Sequence, residues 1–276
     1  MSGVDFFDDS APINPYMHAD TPINLAAAKA EHLSIKTALE NAGVKVLQVA
    51  APANAQDGVY TANWALLRGD YAVMSSLPNA RKIEEAYAEQ TLRNLGKTII
   101  KVPEGLRFSG QGDALPCGNY LLAGSNYRTD SAVHAFLGST LGYEVVSLQT
   151  VPELDSNGQA VTNDYSGWPD SFFYDIDLAI SVLTPNLIAW CPEAFMHSSQ
   201  EKIKSLPMEK IEVSMDEAVK AFACNLVSTG ETVIMSAQAP KFKAALEARG
   251  LKIISPEINE LAKGGGYIRC TTLTLD

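Results

Sequence analysis

The sequence has no apolar run long enough to cross a membrane, and its first residues, MSGVDFFDDSAPINPYM, are acidic. A membrane-spanning helix needs about 20 predominantly apolar residues, and a secretion signal has a basic start followed by an apolar core. We therefore expect a protein that does not insert into membranes, is not secreted and works in the cytoplasm.

Positive charge is also scarce, with 21 Lys and Arg against 32 Asp and Glu and a formal net charge of −11. Nucleic acids and anionic membranes are bound by basic surfaces, so neither is an expected partner. The acidic excess fits either ordinary solubility or a site for a cationic small molecule. With 46% hydrophobic and 19% charged residues, we expect a globular chain that forms a single domain over residues 1–276.

Cysteines are few and scattered, at positions 117, 191, 224 and 270, with no spacing typical of zinc. No phosphate-binding loop is present either, so neither a metal nor an organic cofactor is predicted. Cys117, Cys191 and Cys224 are expected to be reduced thiols in the core. Cys270 follows three glycines in GGGYIRC, and glycines allow backbone or ligand to approach closely. It is either a core residue or a nucleophile.

What the sequence does contain is a unit of strand, strand, helix and strand that recurs at roughly 50 residues, a period typical of repeat architectures. The predicted hairpins cover residues 63–78, 113–125, 177–191 and 223–237. The predicted helices cover 24–42, 81–96, 129–142 and 239–250, with another that starts near His197, and single strands cover 44–50, 97–103, 143–150 and 251–257.

Both ends of the chain supply a fifth unit, made of the helix at 24–42, the strand at 44–50 and a C-terminal strand at 267–275. The sequence thus predicts an α/β fold, a five-bladed pseudosymmetric propeller built from ββαβ units. An open α/β sheet has the same elements, but hairpins directly before helices favour the ring. Residues 151–171 form either a lid near the site or a surface insertion.

The stretch SFFYDIDLAI, residues 171–180, has two aspartates two positions apart in an apolar run. On a β-strand, Asp175 and Asp177 face the same side of the sheet. Two carboxylates that close are unfavourable unless a cation lies between them or one keeps its proton.

Six motifs follow one another along the chain: INPYM, QDGVYTAN, RFSGQGDALP, GSNYRTD, WCPEAF and GGGYIRCTT. This ordered set resembles the guanidino-group-modifying enzymes of the pentein superfamily over nearly the whole chain. That superfamily includes dimethylarginine dimethylaminohydrolases, arginine deiminases and dihydrolases, and amidinotransferases.

The resemblance implies that Cys270 attacks a guanidine or amidine carbon. It implies that Asp57 and Asp177 bind the planar cation through paired hydrogen bonds. Arg128 either binds the carboxylate of an amino-acid substrate or is a surface arginine. Asn63 is either a site-facing amide or a residue that satisfies backbone groups at a strand end.

Two motifs of the predicted site depart from the family pattern. The family's His-x-Asp reads Asp175-Ile-Asp177 here, and its FEGxGD-type segment has Ser109 in place of glutamate and ends at Asp113. Ser109 and Asp113 are predicted to line the substrate site. Asp175 is predicted either to transfer protons in place of histidine, which requires a raised pKa, or to add an acidic contact to the substrate while another group handles the protons. The four histidines, at 18, 32, 134 and 197, are expected to be structural or solvent-facing.

The predicted function is hydrolysis of a C–N bond in a guanidine or amidine small molecule through a covalent Cys270 intermediate. A ligand-binding protein without turnover is the second interpretation, and an amidinotransferase is the third. Arginine, methylated arginine, citrulline and agmatine-like amidines all fit an acidic site, and a homo-oligomer is left open.

Overall fold

The computed structural model describes residues 1–18 and 20–275, and these contain four copies of one unit. Each unit is a three-stranded sheet in which the first two strands are antiparallel and the second and third are parallel. Because parallel neighbours cannot be joined by a tight turn, a helix connects the second strand to the third. The predicted ββαβ repeat is therefore present.

The twelve strands are numbered in chain order. They are β1 Ala65–Arg68, β2 Tyr71–Met74 and β3 Thr98–Lys101 in the first sheet, β4 Ala114–Cys117, β5 Tyr120–Gly124 and β6 Glu144–Leu148 in the second, β7 Ile180–Thr184, β8 Leu187–Trp190 and β9 Glu209–Glu212 in the third, and β10 Val227–Ser228, β11 Thr232–Ile234 and β12 Lys252–Ile254 in the fourth.

The α-helices lie between these strands. They are α1 Leu25–Asn41, α2 Lys82–Asn94, α3 Val133–Leu141, α4 His197–Ser205, α5 Met215–Ala221 and α6 Pro240–Glu247. Local sequence sets their ends: the Asn24 side chain accepts a hydrogen bond from the Ala27 N–H at 3.1 Å, and α3 ends at Gly142, whose φ is 70°.

One large hydrophobic cluster joins distant parts of the chain, and the first sheet packs in two smaller clusters. The large cluster joins residues from near both chain ends, such as Val4 and Ile268, with the third and fourth sheets, where Trp190 and Val233 are buried. Removing this much apolar surface from water is the main favourable term for the fold.

Two of the predicted strands are wrong. Residues 44–50 are half-exposed and make only an isolated parallel bridge, between Ser2 and Val49. Residues 267–275 contain no regular strand, because Thr271 and Thr272 turn their amides and hydroxyls back onto the preceding turn. Threonine hydroxyls that bond the nearby backbone compete with ladder pairing in this way.

The stretch 171–179 is also not a strand. Residues Ile176–Leu178 form a 3₁₀ turn, and the Ile176 N–H donates to Asp113 Oδ1 at 3.1 Å rather than to a neighbouring strand. The prediction that Asp175 and Asp177 face the same side of a β-strand is therefore wrong, although both side chains are buried. The strand β9 and the helix α5 were not predicted from the sequence.

No helix in residues 1–18 or 20–275 combines the length and the apolar character that a membrane span requires.

Candidate active site

A polar side chain precedes the first strand of every unit. Asn63 lies before β1, Asp113 before β4, Asp177 before β7 and Asn225 before β10, and Cys270 precedes the irregular C-terminal residues 271–275. All five are at most 3% exposed. The repeat thus brings chemically active residues to equivalent places, and hydrogen bonds join three of them, Asp177, Asn225 and Cys270.

Cys270 lies in a turn with its thiol between an amide and a carboxylate. Its Sγ is 3.1 Å from Asn225 Nδ2 and 3.5 Å from Asp177 Oδ2. Burial, and then the nearby Asp177, raise the pKa of this thiol well above its ordinary value. The thiol therefore keeps its proton in the unliganded protein and can donate it to Asp177.

The glycine run before Cys270 is required by close contacts. A Cβ on Gly265, whose φ is +84°, would lie 2.4 Å from Asn14 Oδ1, and one on Gly266 would lie 2.4 Å from Tyr60 Cε1. Only glycine permits this backbone so near other atoms. The predicted close approach at these glycines is confirmed.

Asp175 is held by Asn63, whose Nδ2 donates to Asp175 Oδ2 at 2.6 Å and to Ser109 Oγ at 2.9 Å. Asp175 Oδ1 is buried and has no hydrogen-bond partner among the described residues. Gly112 makes room for this pair, because a Cβ there would lie 2.7 Å from Asp175 Oδ2. Asn63, Ser109 and Asp175 are therefore in contact, and their predicted roles at a substrate site stay predictions.

A buried ion pair that the sequence analysis missed lies behind Asn63. Arg81 donates from Nε and Nη2 to the two carboxylate oxygens of Glu84, each at 2.7 Å, and from Nη1 to Asn63 Oδ1 at 2.8 Å. Arg81 also reaches the Asp57 carbonyl oxygen at 3.1 Å. An Arg–Glu pair three residues apart at a helix start usually lies on a surface, so this spacing does not indicate that the pair is buried.

The site is rich in buried carboxyls. Burial raises the pKa of Asp57 from 3.8 to about 6, against the opposing effect of Arg81. Burial, and then Asp175, raise the pKa values of both Asp113 and Asp177 well above the ordinary range, and burial raises that of Asp175. Each carboxyl is easier to ionise when a cation enters, so the arrangement favours a positively charged ligand.

Arg128 is buried with its guanidinium carbon 4.7 Å from the centre of the Tyr174 ring, and it donates to the Ile13 carbonyl oxygen. It is therefore not a surface arginine. Its predicted contact with a substrate carboxylate stays a prediction.

Two segments close over these residues. Gln56 Nε2 donates to Asp57 Oδ2 at 2.8 Å and to the Ala11 carbonyl oxygen at 2.9 Å, and Asn14 Nδ2 donates to the Gly264 carbonyl oxygen at 3.0 Å. Within 151–171, Asn163 Nδ2 donates to the Pro12 carbonyl oxygen at 3.1 Å. The long loop therefore borders the N-terminal segment that covers the site.

The histidines lie elsewhere: His32 is buried on α1, His134 Nε2 lies 2.8 Å from the Gly124 carbonyl oxygen, and His18 and His197 are exposed. Among residues 1–18 and 20–275, no three His, Cys, Asp or Glu side chains are grouped so that they could hold a metal ion. The other three cysteines are buried free thiols, as predicted.

Known sequences are similar to this chain over nearly its whole length. A family model described as N,N dimethylarginine dimethylhydrolase, eukaryotic, matches residues 5–275. The N(G),N(G)-dimethylarginine dimethylaminohydrolase of Mycobacterium tuberculosis is 31% identical over 98% of this chain and 83% of its own length. AgrE of Nostoc, a bifunctional arginine dihydrolase/ornithine cyclodeaminase, is 31% identical over 79% of this chain, which spans only 29% of AgrE.

Solved structures match as well. The N-terminal domain of ArgZ, an arginine dihydrolase from cyanobacteria solved with its product, superposes with a TM-score of 0.88 at 27% identity, over 99% of this chain and 95% of that one. The dimethylaminohydrolase DDAH of Pseudomonas aeruginosa, at 18% identity and a TM-score of 0.70, covers 95% and 91% and shows the shared fold. The predicted pentein relationship is confirmed, and the chain belongs to the dimethylarginine dimethylaminohydrolase family.

Proposed function

We propose that this protein hydrolyses a C–N bond of a guanidine or amidine small molecule through a covalent intermediate on Cys270. The observation that carries the proposal is the Cys270 thiol 3.5 Å from the Asp177 carboxylate, beside the further buried carboxyls of Asp57, Asp113 and Asp175. Carboxyls bind a planar cation, and a thiol is the stronger nucleophile toward its carbon, so their combination supports both binding and attack.

In the proposed reaction, Asp57 and Asp177 accept hydrogen bonds from the planar cation. Cys270 passes its thiol proton to the Asp177 carboxylate, which returns it at the end, and Sγ adds to the central carbon of the cation. The tetrahedral species collapses by breaking a C–N bond, and the departing nitrogen leaves with a proton as ammonia or an amine. Water then adds to the thiouronium carbon, the C–S bond breaks, and a ureido product leaves with the thiol restored.

Asp175 is proposed to give and take the proton in these steps. Burial raises its pKa, which lets an aspartate hold a proton nearer neutral pH than it does in water. Asn63 holds one of its oxygens and leaves the other without a partner. Ser109 and Asp113 are proposed to line the same substrate site, and Arg128 to bind a substrate carboxylate once released from Ile13.

The relatives narrow the substrate to an arginine derivative. Those described above are named for dimethylarginine and for arginine, and each is a hydrolase. This favours hydrolysis over amidino transfer and over binding without turnover. A cytoplasmic location, a single domain over residues 1–276 and a homo-oligomer stay predictions.

We further propose that a fifth blade closes the ring, built from residues 1–4, α1, 44–50 and 271–275. The parallel bridge from Ser2 to Val49 supports this, because it repeats the parallel pairing of the second and third strands in each sheet. A hydrogen bond from Thr61 Oγ1 to the Thr271 carbonyl oxygen at 3.0 Å ties the C-terminal residues to the first unit.

The test is to incubate the purified chain with L-arginine and with dimethylarginine, and to measure the ureido product, ammonia and dimethylamine. We expect product from at least one of them, and a mass increase on Cys270 in acid-quenched samples. Cys117→Ser, at a buried thiol in β4, is the matched control and should keep full activity.

The double variant Asp175→His/Ser109→Glu separates the interpretations. If only that variant turns over, the natural protein is a binding protein, and the proposal fails. It also fails if no guanidine or amidine yields product and a haloacetamidine alkylates Cys270 no faster than it alkylates a free thiol.

A further inference from the structure

Asn225, which the sequence analysis did not single out, makes two hydrogen bonds to Cys270. Its Oδ1 accepts from the Cys270 backbone N–H at 3.1 Å, and its Nδ2 donates to Cys270 Sγ at 3.1 Å. The side chain is fully buried. One amide thus contacts both the backbone and the sulfur of the proposed nucleophile.

The orientation of this amide is fixed by chemistry. A backbone N–H can only donate, so the oxygen of Asn225 must face it, and the NH₂ group must face the sulfur. Nδ2 also lies 3.5 Å from the Asp177 carbonyl oxygen, which is an acceptor as well. Both neighbours of the NH₂ group therefore agree with the same orientation.

We propose that Asn225 is a catalytic residue that stabilises the Cys270 thiolate through its Nδ2–H donor while its Oδ1 holds the Cys270 backbone in place. This inference rests on the proposed function, because it assigns a role at the same nucleophile. Hydrogen bonds to a charged partner are stronger than those between neutral groups, so the bond strengthens when the thiol loses its proton.

The surroundings of Cys270 make such a donor necessary. The sulfur is buried, and the acidic neighbour Asp177 opposes a second negative charge beside it. Arg269 adjoins Cys270 in the chain, but its guanidinium donates to Gln111 Oε1 at 2.9 Å and to the Thr272 carbonyl oxygen at 3.1 Å. The donor placed on the sulfur itself is the neutral amide of Asn225.

An asparagine amide is also held in one orientation at the equivalent position in the first unit. Asn63 also precedes a first strand, and a fixed donor, Arg81 Nη1, orients its amide so that Nδ2 faces Asp175. An oriented amide that donates to an ionisable side chain thus occurs at two of the equivalent positions. A mere core-filling role for Asn225 does not require this orientation.

The test measures the rate at which 2-chloroacetamidine and iodoacetamide alkylate Cys270 between about pH 6 and about pH 10, with the ultraviolet absorbance of the thiolate as a second readout. The variants are Asn225→Leu, which removes both bonds without adding charge, and Asn225→Asp, which keeps an acceptor for the backbone N–H but loses the NH₂ donor. We expect both to shift the rate–pH profile so that alkylation at a given pH falls about tenfold or more.

Asn186→Leu, at the exposed turn between β7 and β8, is the matched control and should not change the profile. Where Asn225→Leu does not fold, as judged by its thermal transition, Asn225→Ala and Asn225→Asp carry the test. Among folded variants, an unchanged profile overturns the proposal, and so does a reduced rate that is restored in Asn225→Asp.

Failure of the proposed function gives a different result. If the natural chain does not turn over any guanidine, the iodoacetamide profiles still report whether Asn225 favours the thiolate. If the natural chain turns over and Asn225→Leu keeps both its kcat and its profile, only the Asn225 inference fails.

Discussion

The site has two halves that are organised differently. In the nucleophile half, a glycine run and one neutral amide hold Cys270 against Asp177. In the acid half, Asn63 holds Asp175 and is itself held by a buried ion pair. The half that matches the family pattern is thus built from backbone and neutral groups, whereas the half with Asp175 in place of histidine depends on buried charge. Variants should therefore affect the two halves in different ways.

The largest effect is expected from Cys270→Ser, which removes the nucleophile and leaves the carboxyls in place. Turnover should fall by about 10⁴-fold or more, because a hydroxyl in this setting is a far weaker nucleophile than a thiolate. Binding of a guanidine ligand, measured by calorimetry, should persist. Loss of binding along with turnover would show that the two halves do not act separately.

Arg81→Leu should be the most damaging single change in the acid half. It leaves Glu84 buried without its partner, which typically costs about 3–5 kcal/mol of the free energy of unfolding. Urea denaturation measures this loss, and Arg93→Leu, at a largely exposed pair with Glu89, should cost about 1 kcal/mol or less.

The double variant Arg81→Leu/Glu84→Leu tests whether the unpaired buried charge of Glu84 causes this loss of stability. It removes the orphaned charge and should be more stable than Arg81→Leu. If the double variant is the less stable one, burial of charge is not what organises the acid half.

Asp57 provides a pH test of the acid half. Its pKa rises from 3.8 in the unfolded chain to about 6 in the fold, so its stabilising effect is present below pH 4 and is lost as the pH rises through about 6. The free energy of unfolding of Asp57→Asn, relative to the natural chain, should increase by about 2 kcal/mol between about pH 4 and about pH 7.

Denaturation at several pH values gives this difference, and the other buried carboxyls contribute equally to both proteins. A pH-independent difference would mean that Asp57 is ionised throughout. A guanidine ligand should stabilise the natural chain more at the higher pH, because it binds the ionised carboxyl.

The smallest effect is expected from Ser109→Ala. Asn63 Nδ2 loses one acceptor but keeps Asp175 and the Ser109 carbonyl oxygen, so the cost should be about 1 kcal/mol. Thermal unfolding of this variant beside Ser139→Ala, an exposed serine on α3, measures it. A loss as large as that of Arg81→Leu would contradict the account of the acid half.

Local pattern was enough to predict most of the fold. The helix predicted over 24–42 is α1 Leu25–Asn41, and the hairpin predicted over 113–125 contains β4 and β5. Capping residues, turns and apolar periodicity are all encoded nearby in the sequence. The C-terminal strand failed because threonine hydroxyls bind the adjacent backbone, a competition that composition does not reveal.

The order of the motifs along the chain was enough to single out several residues that lie in contact in the structure. Cys270 and Asp177 meet, and so do Asn63, Ser109 and Asp175. Asn225 was missed, although it lies just before β10 as Asn63 lies just before β1, so alignment of the repeats would have found it. The role of Arg81 depends on burial from several directions, which no local pattern encodes.

The segment formed by residues 11–17 is expected to limit the size of the ligand that the proposed site can accept. Gln56 joins Ala11 to Asp57, and Asn14 joins the segment to Gly264, so the cover is attached on both sides of the carboxyl cluster. Cys270 and Asp57 are each 2% exposed beneath it. We therefore expect the proposed site to accept a free small molecule but not an arginine side chain of a folded protein, whose main chain would clash with this cover.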